Sequence, residues 1–207
     1  MATAPRPKAR ARSAQRQQAM VDAAARLLIE EGPDAVTHRR VAAAAGVPAG
    51  SAGYYFPTRQ ELYAAAVAAA ERVRSAGAAE RARSLPRRRR SASATAALLL
   101  EVLYAPALDG AVVTRRLQPM LAATADPDLR PIMAASRPAL LDALREALER
   151  CGWAEVAASR HFDLVVRMLD AALLYGAATG DEDPVADAVT DVARLLELVR
   201  DARPVAG

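Results

Sequence analysis

Apolar residues recur along this chain at helical spacing, in blocks separated by Pro and Gly. Over 14–31, Met20, Ala24, Leu27 and Leu28 fall at i, i+4, i+7 and i+8, one stripe of a helix that Gly32-Pro33 ends. Val41, Ala42 and Ala45 give the buried side of a shorter helix. Thr37 is its expected N-cap, because the hydroxyl can accept from an otherwise unpaired backbone N–H. Gly46 supplies the backbone freedom that a helix C-terminus needs. Pro48 suits the first position of a second short helix, expected over 48–54, since no N–H is required there. Thr58 and Glu61 form a capping box that opens a helix running to about Arg83, with Leu62, Tyr63, Ala66, Val67 and Ala70 inward.

Past a linker at 84–93, the pattern predicts helices over 94–105, 108–124, 127–150, 155–179 and 184–202. Pro106, Pro119, Pro131 and Pro138 are breakers or kinks. Asp126-Pro127 and Asp183-Pro184 read as helix starts, with Asp at the cap and Pro at the first position. The 155–179 helix carries two apolar stripes, Phe162, Val165, Val166, Leu169 and Leu173 on one side and Leu164, Met168, Ala171 and Tyr175 on another. A helix apolar on two sides must bury both. One side packs on its own subunit; the other needs a second subunit or a deep position in a monomer. The last helix offers Val185, Val189, Val192, Leu196 and Val199 at helical spacing.

Composition agrees with an all-α chain. Alanine is abundant and strand formers are sparse in 207 residues that are 53% hydrophobic and 4% aromatic. The net charge of +4 matters through its location: residues 1–62 hold nine basic and five acidic side chains, and the remainder balances. Such a basic end suits a nucleic-acid partner, whose phosphates it would neutralise. The first 13 residues form a basic arm, expected to be disordered in isolation, which either tracks DNA or is a solvated tail. The four arginines Arg87 to Arg90 read as a solvated loop, with a nucleic-acid contact as the alternative. A single cysteine, Cys151, excludes an intramolecular disulfide framework. No apolar run approaches the roughly 18 residues of a membrane span, and no signal sequence is visible, so a cytoplasmic protein is expected.

An enzyme is the rival class. Gly46, Gly50 and Gly53 match neither phosphate-binding glycine motif, and no strand precedes them. His38 and His161 are isolated from any metal-ligand spacing. No catalytic residue, metal or cofactor is expected.

Two short helices joined by a Gly turn are the helix-turn-helix pattern. The residues Thr37-x-Arg39-x-Val41-Ala42-x-x-Ala45-Gly46-Val47, then Gly50-Ser51, Tyr55-Phe56 and Arg59-x-Glu61-Leu62, resemble the amino-terminal domain of TetR-family transcriptional regulators. The resemblance is specific over about 14–66. It implies a three-helix DNA-binding domain over 14–60 and a helical regulatory and dimerisation domain over 61–207. A homodimer would present two recognition helices to double-stranded DNA about 34–36 Å apart and select a palindrome-like operator. By position, Arg39 is the expected base contact, with Thr37, His38 and Arg40 beside it. Ser51 would donate to a base or phosphate, Ala49 and Ala52 would touch thymine methyls, and Arg59 would bind a phosphate. The chain departs from the family pattern at Gly53, where an aromatic residue is usual, so the phosphate-binding tyrosine role passes to Tyr54 or is lost. Tyr55 and Phe56 are expected to pack on the first helix.

The resemblance also implies an effector pocket in the carboxy-terminal half, for which Tyr104, Gln118, Met120, Arg137, Trp153 and Met168 are candidates. The dimer would be built from Leu164, Met168, Ala171, Tyr175, Val192, Leu196 and Val199. The expected function is a ligand-responsive repressor. An activator or a helical protein–protein adaptor on the same fold are the alternatives.

Overall fold

A computed structural model describes residues 7–105, 108 and 110–201, with side chains from 11 onward except those of 110–114 and 201. The described chain is all-helical. Its helices are α1 (Pro7–Glu31), α2 (His38–Ala44), α3 (Ser51–Tyr55), α4 (Arg59–Ser84) and α5 (Ala92–Leu103). They continue with α6 (Gly110–Ala125), α7 (Leu129–Arg150), α8 (Ala154–Ala158), α9 (Phe162–Thr179) and α10 (Pro184–Asp201). A short 3-10 turn, Pro33–Ala35, joins α1 to α2. The chain forms two compact units, Met1–Arg72 with Gln118–Met133, and Val73–Leu117 with Ala134–Gly207. α4, α6 and α7 each run from one unit into the other.

The first unit closes around Met20, Leu28, Val36, Val41, Leu62, Ala66 and Val67, all fully buried. They come from α1, the 36–37 connection, α2 and α4, the elements whose stripes the sequence displays. Ala123 and Leu129 complete the same core from α6 and α7. Thr37 caps α2 by accepting from the Arg40 N–H at 3.3 Å, and Thr58 accepts from the Glu61 N–H at 3.1 Å. α1 begins at Pro7, so the helix takes in half of the arm expected to be irregular. The second motif helix starts at Ser51 rather than Pro48. Residues 48–50 form a turn closed by the Ser51 N–H donating to the Pro48 carbonyl at 2.9 Å.

In the second unit, α10 packs against both α9 and α5. The helix expected over 155–179 is two helices. At the break Ser159 is extended, and its Oγ donates to the Val156 carbonyl at 3.0 Å and accepts from the His161 N–H at 3.1 Å. The serine side chain thus competes with backbone pairing and interrupts the helix. Pro119 and Pro138 do not end helices; α6 and α7 run through them. Asp183 caps α10 as expected, accepting from the Ala186 N–H at 3.0 Å. The arginine linker is not a loose loop. Arg88 and Arg90 donate backbone N–H groups to the Arg150 and Cys151 carbonyls at 2.9 and 3.0 Å, tying the segment to the end of α7.

Candidate nucleic-acid interface

Helices α1, α2 and α3 decide which side chains of the motif remain free. Arg39 lies one residue into α2, exposed, with no hydrogen-bond or ion-pair partner among the described residues. Arg40 beside it is held by Glu31 at the end of α1, 2.7 Å from Nη2 to Oε1. His38 is half-buried, its Nε2 2.7 Å from the Phe56 carbonyl oxygen, which clamps the start of α2 to the end of α3. Two adjacent candidates therefore carry structural duties, and among the described residues of the motif Arg39 is left as a long cation without a partner.

On α3, Ser51 is half-buried and Ala49 exposed just before it. Ala52 corrects the sequence reading. It is fully buried in the core of the first unit, so its methyl is turned away from any thymine. Gly53 is exposed, and a Cβ built there would meet nothing within 4 Å, so the position is open rather than crowded. Tyr54 is 80% exposed and stands edge-on to Tyr55, ring centroids 5.1 Å apart. Tyr55 packs on the core and meets Ser13 of α1, hydroxyl to hydroxyl at 2.9 Å. Phe56 is buried. The phenol free to reach outward is thus that of Tyr54. Arg59 is exposed at the start of α4, 3.7 Å from Asp34, a surface pair too weak and screened to hold it against a phosphate.

The regulatory candidates divide between the units. Gln118 is exposed and Met120 half-buried, and both belong to the first unit. Tyr104, Arg137, Trp153 and Met168 belong to the second. Tyr104 and Trp153 are buried, and neither the Tyr104 hydroxyl nor the Trp153 Nε1 has a partner among the described residues. Arg137 reaches Asp170 of α9 at 4.0 Å, and Asp170 and Arg116 both act electrostatically on Tyr104. Sequence reasoning missed Asp170, Arg116 and Arg74; their polar character gave no sign that they converge. Burial pushes the Tyr104 phenol well above its ordinary value, and burial likewise raises Asp170 against the lowering pull of Arg137 and Arg116.

The expected dimer residues also divide. Leu164, Ala171 and Tyr175 face outward on α9, with Leu164 46% and Tyr175 71% exposed, and Met168 is half-buried. Val192 and Leu196 are a correction: α10 turns them into its own unit, where both are fully buried and cannot meet a partner. Val199 is half-buried, while Leu198, one residue before it, is 69% exposed.

Residues 20–66 match the model of the bacterial regulatory proteins of the tetR family, and residues 90–198 match the tetracyclin repressor-like C-terminal domain. The chain belongs to the TetR family of transcriptional regulators; it is a DNA-binding protein and not an enzyme. No curated protein matches it. Among solved structures it is similar to the multidrug binding protein EbrR in complex with proflavin, with 29% identity and a TM-score of 0.60 over 87% of this chain and 99% of that one. The imidazole complex of EbrR gives 26% identity and a TM-score of 0.59, covering 93% of each chain. A protein from Saccharomonospora viridis described as a transcriptional regulator, in complex with choline, shares the fold. It has 14% identity and a TM-score of 0.58 over 91% of this chain and 97% of that one. Among the described residues, no helix is long and apolar enough to cross a membrane.

Proposed function

We propose that this chain is a homodimeric, cytoplasmic repressor that reads a palindrome-like operator and is released from it by a small-molecule effector. The observation that carries the reading is Arg39: exposed, unpaired among the described residues, and set at the start of α2 beside an anchored neighbour. A guanidinium held this way can make a bidentate contact to guanine. Thr37, Ala49, Ser51, Tyr54 and Arg59 supply the surrounding contacts to phosphate or base. The small, glycine-containing α3 leaves much of the selectivity to DNA shape. The outward apolar face of α9, with Leu164, Ala171 and Tyr175, is the surface a second copy would cover. Effector control rests on the similarity to EbrR, which was solved with proflavin and with imidazole.

The test is a fluorescence-anisotropy titration against DNA from upstream of the gene and against random duplex, at two salt concentrations. Wild type should prefer the upstream DNA, and Arg39→Ala should lose that preference. Equal, weak binding of both proteins to every duplex, including a pool selected from random sequence, would instead favour an adaptor.

A further inference from the structure

Five helices contribute polar groups to one region of the second unit. Tyr104 stands at the C-terminal cap of α5, Arg74 on α4, Arg116 on α6, Arg137 on α7 and Asp170 on α9. Tyr104 is 2% exposed, and its hydroxyl has no partner among the described residues. Arg74 is buried. The Arg116 guanidinium carbon is 5.9 Å from the centre of the Tyr104 ring, and Arg137 approaches Asp170 at 4.0 Å. Arg116, Asp170 and Arg74 are all close enough for their charges to act on the Tyr104 hydroxyl.

Buried polar groups are normally hydrogen-bonded, and leaving one unpaired is costly. The Tyr104 hydroxyl therefore needs an occupant that can accept its hydrogen bond. Charge selects which kind. Among the described residues two guanidinia, those of Arg116 and Arg74, and one carboxylate, that of Asp170, act on the Tyr104 hydroxyl, and Arg137 faces the same carboxylate. Burial disfavours the ionised form of Asp170, which weakens it as an anchor for a cation. Guanidinium forks bind carboxylates in a planar, two-point geometry, and a phenol adds a third donor.

We propose that this Tyr104–Arg116–Arg137 cluster is the effector site and that its ligand is a small organic carboxylate, bound by the Tyr104 hydroxyl and the two guanidinia. This rests on the ligand-responsive reading above and specifies its chemistry. It sets the chain apart from two of the structures it is similar to, which hold the cations proflavin and choline.

The experiment is calorimetric titration of the full-length protein with benzoate, octanoate, proflavin and choline, paired with release of bound operator DNA followed by anisotropy. Benzoate or octanoate should bind and release DNA, and the two cations should do neither. Tyr104→Phe removes only the hydroxyl, so it should melt at or above the wild-type temperature while binding the carboxylate at least about tenfold more weakly. Arg116→Met should reduce carboxylate binding at least as much, with its circular dichroism unchanged. Undiminished carboxylate binding by Tyr104→Phe would place the site elsewhere and overturn the assignment. Binding and DNA release by proflavin or choline alone would overturn the carboxylate class while leaving effector control intact. Absence of binding by either carboxylate at millimolar concentration would also overturn it. Operator binding by the free protein and its loss in Arg39→Ala remain a separate measurement, so a failed effector class is distinguishable from a failed regulator reading.

Discussion

Replacing Ala52 with glycine separates a buried methyl from a base-reading one. In the folded chain this methyl is fully enclosed among the core residues of the first unit, at the second position of a five-residue helix. Its removal withdraws one buried carbon, worth about 0.8 kcal/mol. Glycine in a helix interior adds a further loss of about 0.8–1.0 kcal/mol relative to alanine. Together these reach roughly 1.5–2 kcal/mol, because the lost burial weakens the folded state while glycine adds entropy to the unfolded one. For a chain of this size each kcal/mol lowers the midpoint by about 2–4 °C, so thermal unfolding followed by circular dichroism should shift down by about 3–8 °C. The second half of the assay is operator binding below the transition, scored against duplexes altered one base pair at a time. The order of preference among these duplexes should be that of the wild type, since the methyl touches no base. An unchanged midpoint combined with relaxed selectivity at a single A·T pair would refute the placement of Ala52 in the core.

Arg40→Ala should lower stability by no more than about 1 kcal/mol, because its ion pair with Glu31 is half-exposed, and should spare sequence preference; Arg39→Ala should leave the melting curve unchanged and lose about 1–3 kcal/mol of discrimination in the same anisotropy assay. Tyr175→Glu places a charge on the outward face of α9, and light scattering after gel filtration should report a monomer where wild type reports a dimer. At the corner between α9 and α10, a Cβ on Gly176 would come within 2.7 Å of the Pro184 Cβ, so Gly176→Ala should cost about 1–3 kcal/mol in denaturant unfolding. Asp170 has a folded-state pKa above its ordinary value, so its ionisation works against folding: the penalty is absent at low pH and develops as pH rises through the raised pKa. Asp170→Asn should therefore be at least as stable as wild type at pH 7, with the difference shrinking as pH falls toward the ordinary aspartate range; a variant less stable at pH 7 would show that the pull of Arg137 and Arg116 outweighs burial.

The helices, their caps and the class of protein were legible in the sequence because they depend on short-range rules. The α1 stripe, the Thr37, Thr58 and Asp183 caps and the Gly46 turn each involve residues within four or five positions of one another, and local backbone chemistry decides them. The basic balance of the first 62 residues is likewise a matter of counting. Tertiary structure decided which side of each element was spoken for. Ala52 carries no label that distinguishes a core methyl from an exposed one; only the packing of α3 in the first unit makes it inward. His38 finds its partner eighteen residues away at the Phe56 carbonyl, and Arg40 finds Glu31 across the α1–α2 corner. Val192 and Leu196 share a stripe with residues that remain partly open, and the approach of α9 and α5 to α10 encloses them. The Tyr104 cluster draws on five helices spread from Arg74 to Asp170, a juxtaposition with no period in the sequence. Periodicity records that a side chain must be buried or exposed along its own helix; which group it then meets is set by long-range packing, where the hydrophobic effect is indifferent to order along the chain.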